Sequence, residues 1–318
     1  MRAIQFHAFG DPADVLRLEQ VEQPHPGPGE IRVAVHAVGL NPADWALVAG
    51  LFAERLPPLP RGVGLDVSGT IDEVGEGVTD VAPGSQVFGP ATFNGPSAGA
   101  ADHAVLSHWA HVPDGLDQLD AATLPMATAT AWSGLDALGV TAGETLLVHG
   151  AGSVIGEAAV SLALRRGVRV IATAGPNRTP TLTQLGAAVT TYGDGMTDRV
   201  RAIAGSTVDR ALDASPVGGS LPALVELTGD PDRVLTLSDF AAAEELGARV
   251  NTTLRYDTLP EVAQLAANGA FTVPIARTFT LEQFPEAVAL SRSAHAGGKV
   301  LLLVSAQALA SAETPYER

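Results

Sequence analysis

The rhythm of apolar and polar positions changes near residue 120. Before it, short alternating runs are broken by glycine and proline. Residues 32–38 (RVAVHAV) alternate as a half-buried strand would, and GLNPAD then breaks the run. Residues 67–74 read as a second strand ahead of the turn-rich GEGVTDVAPGSQVFG, and residues 105–112 as a third. Many short strands with frequent turns predict a compact, mostly antiparallel β-unit. After residue 120, strand and helix patterns alternate. Residues 145–149 (TLLVH) form an apolar run of buried-strand type. A glycine loop follows, then a helical pattern over 157–166 with arginines in its last turn and Gly167 behind it. Strands are predicted at 168–173, 188–192, 208–213, 233–237 and 249–253, with a helix over 178–185 stopped by Gly186. Strands separated by helical segments imply parallel βαβ units. From Ile275 a strand–helix–strand pattern returns, over 275–281, 282–293 and 299–304.

Length and composition narrow this picture. A chain of 318 residues suits about two domains. A hydrophobic share of 46% and a mean hydropathy of +0.20 belong to a folded globular protein. Asp and Glu number 35 against 19 Lys and Arg, a net charge of −16. So acidic a surface repels nucleic-acid phosphates and anionic lipid heads, so neither nucleic acid nor membrane is an expected partner. The first residues lack an apolar run of signal-peptide length and no segment is apolar enough to span a bilayer, so cytoplasmic residence is expected. The absence of cysteine removes disulfides, thiolate nucleophiles and Cys-ligated metals. Lys299 is the only lysine.

The strongest chemical signal is the loop His149-Gly150-Ala151-Gly152-Ser153-Val154-Ile155-Gly156, set between a predicted strand and helix. Glycines let the backbone approach a pyrophosphate, and the helix that follows offers unpaired N–H groups and a positive dipole end. The spacing, Gly-x-Gly-x-x-x-Gly, is one residue longer than the usual dinucleotide fingerprint. At the tip of the second strand, NAD binders place a carboxylate for the ribose 2′-OH. This chain has Thr173-Ala174-Gly175-Pro176-Asn177-Arg178, with no carboxylate and with an arginine fork suited to a 2′-phosphate. NADPH is therefore the expected cofactor.

Further segments carry a resemblance. GLNPADW (39–45) matches an N-P-x-D-W segment, and GLDVSG (64–69) a G-x-D-x-x-G segment followed by VGEGV (74–78) and PGSQVFG (83–89). LPMATATAW (124–132) matches L-P-x-A-x-x-T-A-W, and GKV (298–300) a closing G-K-V strand. In this order, over residues 1–305, they resemble the medium-chain dehydrogenase/reductase superfamily, and within it the zinc-free quinone oxidoreductase, zeta-crystallin-like branch. The resemblance implies an α/β fold: a GroES-like, mostly-β substrate domain over 1–120, completed by 275–318, and a Rossmann, doubly wound parallel-sheet NADP-binding domain over 121–274. It places the cofactor in the cleft between the domains. It implies that Asn41 and Thr130 position the nicotinamide, and that Gly150, Ala151, Gly152, Ser153, Val154 and Ile155 hold the diphosphate. Asn177 and Arg178 would read the 2′-phosphate, Tyr192 would pack on the adenosine half, and Thr173, Ala214, Ser215, Leu237 and Ser238 would lie along the cofactor. Ser153 and Val154 stand where the family has paired glycines; they could crowd the diphosphate, or Ser153 could hydrogen-bond it. Arg61-Gly62-Val63 replaces a Pro–aromatic start, and Ala101-Asp102-His103-Ala104 an aromatic–Ala–Glu–Tyr strand; both bear on substrate choice.

No metal is expected. Leu65-Asp66 stands where the zinc alcohol dehydrogenases of the superfamily carry His-Glu, and of His103, His108 and His111 the middle one would leave a strand on the opposite face. The one G-x-S-x-G string, Gly95-Pro96-Ser97-Ala98-Gly99, is not set between a strand and a helix pattern, so no nucleophile elbow supports a hydrolase. The cofactor then carries the chemistry. The expected activity is NADPH-dependent, zinc-independent hydride transfer to a small electrophile, a quinone or an α,β-unsaturated carbonyl. Alternatives are reduction of a biosynthetic enoyl intermediate and a catalytically silent NADPH-binding or redox-sensing protein. Proton donors are few: water, or Asp44, His103 or Tyr256. Trp45 and Trp132 read as packing residues. By family analogy the chain is a homodimer through the edge of the Rossmann sheet, near 249–253.

Overall fold

The computed structural model describes residues 1–305 except Phe52, Leu56, Asn94, Ser206, Ala294 and His295. The described residues divide into two units: Met1–Met126 with those from Tyr256 onward, and Ala127–Arg255.

In chain order, the first unit opens with strands β1 (Arg2–Phe6) and β2 (Leu16–Gln20), joined through the short helix α1 (Pro12–Val15), whose Asp11 cap accepts from the Ala13 N–H. Then come β3 (Ile31–Gly39), helix α2 (Pro42–Val48), β4 (Arg61–Gly62), β5 (Asp66–Val74), β6 (Gln86–Pro90), β7 (His103–Leu106), β8 (Ala110–His111) and α3 (Gln118–Ala121). Helix α4 (Pro125–Leu138) leads into the second unit. There β9 (Thr145–His149), α5 (Val154–Arg165), β10 (Arg169–Thr173), α6 (Thr179–Leu185), β11 (Ala188–Thr190), α7 (Met196–Ala204), β12 (Arg210–Asp213), α8 (Leu221–Thr228), β13 (Val234–Thr236), α9 (Phe240–Leu246) and β14 (Arg249–Val250) alternate. The first unit resumes with α10 (Leu259–Ala267), β15 (Ile275–Thr280), α11 (Phe284–Ser291) and β16 (Lys299–Leu303).

The first unit holds two sheets. Strands β2, β1 and β4 form a small antiparallel one. A larger sheet runs β15-β16-β3-β5-β6-β8, with β7 also on β3. All its pairings are antiparallel except β15 with β16, which α11 connects as a parallel crossover. The alternation in β1, β3 and β5 puts Ile4, Phe6, Val33, Val35, Val67 and Ile71 into one buried cluster, with Leu302 from the returning segment. The run 105–112, expected as one strand, is two. His103–Leu106 pairs with β3 and Ala110–His111 pairs with β6, so the chain changes partner across Ser107-His108-Trp109. The expectation that His103 and His111 share a strand face does not apply to this geometry.

The second unit is one six-stranded parallel sheet in the order β11-β10-β9-β12-β13-β14. That is the doubly wound order, and its switch point, where ligands bind in open α/β sheets, lies at the carboxyl ends of β9 and β12. Leu147, Ile171, Ala211 and Val234 from the strands and Val200, Leu221 and Leu224 from helices form its core. β14 is the edge strand, within the segment expected there. The first unit resumes at Tyr256, where α10 packs with β8. Among the described residues no helix is long and apolar enough to cross a membrane.

Candidate functional site

Strand β9 is buried along its whole length and ends on His149, where the chain turns through Gly150 with φ at +73°. That conformation strains any residue with a side chain. A Cβ there would also lie 2.5 Å from the Ser215 amide nitrogen, so glycine is required twice over. The turn is tied on both sides. Gly150 N–H donates to Thr173 Oγ1 (3.2 Å) and Ala151 N–H to the Thr173 carbonyl (2.9 Å), while Ala214 N–H donates to the His149 carbonyl (2.9 Å). Ser153 caps α5. Its Oγ accepts from Gly156 N–H (3.0 Å) and donates to the Ala214 carbonyl (3.0 Å). The serine that replaces a family glycine therefore spends its hydroxyl on the loop itself. Val154 and Ile155, the first residues of α5, are half-buried.

Beneath the loop lies a polar row of which sequence reasoning named only Thr173 as a cofactor residue. His149, Thr173, Asp213 and Thr236 end four neighbouring strands, with Asp213 in register with both His149 and Thr236. His149 Nδ1 lies 2.8 Å from Thr173 Oγ1. The Thr173 hydroxyl also accepts from Gly150 N–H, and with its second lone pair and its own proton it can meet either tautomer of the imidazole. Burial pushes the His149 pKa down, with Asp213 pulling the other way. Asp213 accepts from Thr236 Oγ1 (2.9 Å) and Ser215 N–H (3.1 Å). Burial pushes its carboxyl up and Asp239 adds to that, against the Thr236, Ser215 and His149 contacts. Each residue closes an apolar run, a place where a single polar side chain leaves no periodic trace.

The expected cofactor residues of this unit gather unevenly. Ala214 and Ser215 follow Asp213, and Leu237 and Ser238 follow Thr236. Leu237 N–H donates to the Asp213 carbonyl (3.0 Å) and Ser238 Oγ to the Ser215 carbonyl (2.6 Å), so all four stand at the loop's edge of the sheet. Arg178, the residue before α6, turns toward the loop. Its Nε is 3.4 Å from the Gly152 carbonyl and its Nη2 2.9 Å from Glu157 Oε2, an ion-pair distance without hydrogen-bond alignment. Burial pushes Glu157 up and Arg178 draws it back. Asn177 is exposed, and Tyr192, 60% exposed, has its hydroxyl beside Gly175. Thr130 is half-buried on α4, and Trp132 lies under Arg166 at 5.2 Å.

Asn41 belongs to the other unit and sits in a different kind of site. It caps α2, and both ends of its carboxamide are held. Nδ2 donates to the Gly39 carbonyl (3.1 Å) and Asp66 Oδ2 (3.0 Å), and Oδ1 accepts from Lys299 Nζ. Lys299 also pairs with Asp66 at 2.8 Å, both buried, and the other Asp66 oxygen accepts from Met126 N–H (2.9 Å). Asp44 accepts from Asn41 N–H (2.7 Å) and Gly64 N–H (3.0 Å). Its carboxyl is pushed up to about 7, by burial first and by Asp66, against the two N–H groups and Lys299. Burial, Asp66 and Asp44 push the Tyr256 hydroxyl up, and its ring lies 5.9 Å from that of His108. His103 Nε2 is 3.3 Å from Asp72. Trp45 is buried, with Nε1 donating to Ser291 Oγ. Neither the Lys299–Asp66 pair nor its grip on Asn41 was foreseen, although GKV and GLD were both noted.

Comparisons with known proteins agree with the fold. Residues 27–114 match the alcohol dehydrogenase GroES-like domain and residues 185–302 the zinc-binding dehydrogenase family. The chain is 42% identical over 169 residues to the erythronolide synthase of Saccharopolyspora erythraea, covering 52% of this chain and 4% of that one. It is 36% identical over 180 residues to the quinone oxidoreductase of Homo sapiens, covering 55% and 53%. The chain thus spans about half, or far less, of these curated relatives. The solved quinone oxidoreductase from Coxiella burnetii superposes with a TM-score of 0.80 at 28% identity, over 96% of this chain and 99% of that one.

Proposed function

Because the chain belongs to the medium-chain dehydrogenase/reductase superfamily, in its quinone oxidoreductase branch, we propose that it is an NADPH-dependent, zinc-independent reductase of quinones or α,β-unsaturated carbonyls. The observation that carries this reading is the glycine turn at residues 150–153, tied to Thr173 and Ala214 at the switch point of the parallel sheet. The residues there fit a dinucleotide. The tight turn at Gly150 keeps the backbone bare, α5 offers its N-terminal amides, and no carboxylate closes β10. When bound, the cofactor supplies hydride from C4 of its nicotinamide.

In this reading the chain's residues bind and orient. The amides at the start of α5 that Ser153 does not cap would hold the diphosphate, and Arg178 would leave Glu157 to meet the 2′-phosphate with its fork. Thr130 and Asn41 are positioning residues for the nicotinamide; Lys299 and Asp66 keep the Asn41 carboxamide from rotating. The acceptor takes hydride at the carbon remote from its carbonyl, charge develops on oxygen, and water returns a proton. The identity with erythronolide synthase favours a second reading, in which the acceptor is an enoyl intermediate of polyketide assembly. A homodimer through β14 is proposed by family analogy, with Val250 there 49% exposed.

Titration tests the cofactor. NADPH should bind at least about tenfold tighter than NADH, and Arg178→Ala should shrink that gap. Equal affinities in the wild type would remove the 2′-phosphate assignment. NADPH oxidation across quinones, enones and enoyl thioesters, with a chelator present, tests the reaction. A flat trace throughout would leave a silent nucleotide binder.

A further inference from the structure

Arg61 opens β4, which pairs with β1 so that Phe6 stands opposite Arg61 and Gln5 opposite Gly62. Its side chain is among the largest the fold buries, at 1% exposure. Nε and Nη1, on different edges of the guanidinium, are shut from water and donate to nothing. The other two buried Arg and Lys side chains among the described residues are answered: Arg32 by Asp72 and Glu73, Lys299 by Asp66. Arg61 has burial acting on it and no compensating charge. Its neighbours are aromatic, with the Phe6 and Phe93 ring centres each 5.9 Å from Cζ, at the outer reach of a cation–π contact.

An arginine cannot shed its proton, and a buried cation without a partner is strongly destabilising. An apolar side chain of similar volume would suit the fold better. We propose that Arg61 is the receptor for an oxyanion, specifically the carboxylate of a flat, unsaturated molecule whose body lies against Phe6 and Phe93. The carboxylate would take one edge of the guanidinium and supply the acceptor that Nε or Nη1 lacks there. The segment 95–98 covers the strand: Gln5 Nε2 donates to the Pro96 carbonyl, and Gly62 N–H to the Gly95 carbonyl at 3.4 Å. Access therefore requires that segment to shift. Three residues along the chain, Gly64 N–H holds the Asp44 carboxylate that also holds Asn41, so the anion site shares its backbone with the cluster around Asn41. The carboxylate could belong to the reductase's own substrate or to a free acid. Binding as such is independent of the proposed reaction; only assignment to the substrate rests on it.

The test uses the full chain. Thermal unfolding is followed with sodium benzoate up to about 100 mM, against benzamide and against sodium chloride at equal ionic strength. Benzoate should raise the wild-type Tm by about 3–5 °C, and benzamide and chloride should not. Arg61→Gln and Arg61→Met should lose the benzoate shift, and Arg61→Lys should keep part of it. Arg61→Met should also unfold at a higher temperature than the wild type without ligand. No benzoate-specific shift in the wild type, or the same shift in Arg61→Gln, overturns the proposal; the wild-type comparison decides even if a variant fails to fold. The source is separated by turnover of a carboxylated quinone and its methyl ester. A preference for the acid of about tenfold or more in kcat/KM, lost in Arg61→Gln, identifies the substrate's carboxylate. A benzoate shift with acid and ester turned over alike identifies a free acid. Should neither acceptor turn over, the reductase reading fails, and the unfolding series alone judges the anion site.

Discussion

Around Asn41 the buried polarity is ionic, a lysine and an aspartate closing on one carboxamide. Around the glycine turn it is made of hydroxyls and one acid–base pair, His149 and Asp213. The first arrangement fixes a side chain by charge; removing either ion strands the other in a dry place. The second fixes a backbone turn by many modest bonds, each replaceable in part by its neighbours. One is stiff and intolerant, the other graded.

The largest expected effect breaks the ionic cluster. Lys299→Met should cost about 3–5 kcal/mol in urea unfolding, because Asp66 is left without its counter-ion. Lys299→Met with Asp66→Asn should cost less than the two single changes summed, the double-mutant signature of a coupled pair.

The pH response comes next. The Asp44 carboxyl moves from 3.8 to about 7 on folding, so the fold holds its proton more tightly than the unfolded chain does. Its contribution is full below pH 3.8 and is lost as pH rises through 7, up to about 4 kcal/mol over that window. Asp44→Asn should flatten the fall in stability between those values. Under the glycine turn the signs oppose. Raised Asp213 loses its contribution as pH rises, lowered His149 as pH falls, so that pair should leave a shallower slope.

Gly150→Ala should cost about 2 kcal/mol through strain and the clash with Ser215, and should weaken nucleotide binding in titration more than any neighbouring substitution. Thr173→Val has the smallest expected effect. It leaves the Gly150 N–H and His149 Nδ1 short of one partner, for about 1–2 kcal/mol. Should it destabilise as much as Lys299→Met, the contrast between a stiff and a graded cluster is wrong.

Much of the architecture was legible because it is periodic. Alternation gave β3 and β5, and apolar runs between glycines gave β9, β10 and β12. The break between β7 and β8 was not, since a change of pairing partner leaves the alternation intact on either side. The glycine turn was legible because its residue types are forced locally by a positive φ and a close backbone. The polar row was not: Thr173 lies 24 residues from His149. Lys299 meets Asn41 across 258 residues. Such pairings are assembled by crossovers, and no window of sequence contains both members. Arg61 shows a middle case. Its place in a segment that departs from a Pro–aromatic start was visible, but its unpartnered Nε and Nη1 needed coordinates.

The chain's single lysine is also buried, at 4% exposure. Amine-directed acylation of the native protein should therefore leave Lys299 untouched, and the rate at which that one residue becomes labelled in rising denaturant would report opening of the sheet around β16 and β3, read by mass spectrometry as one tag beyond that on the Met1 α-amine.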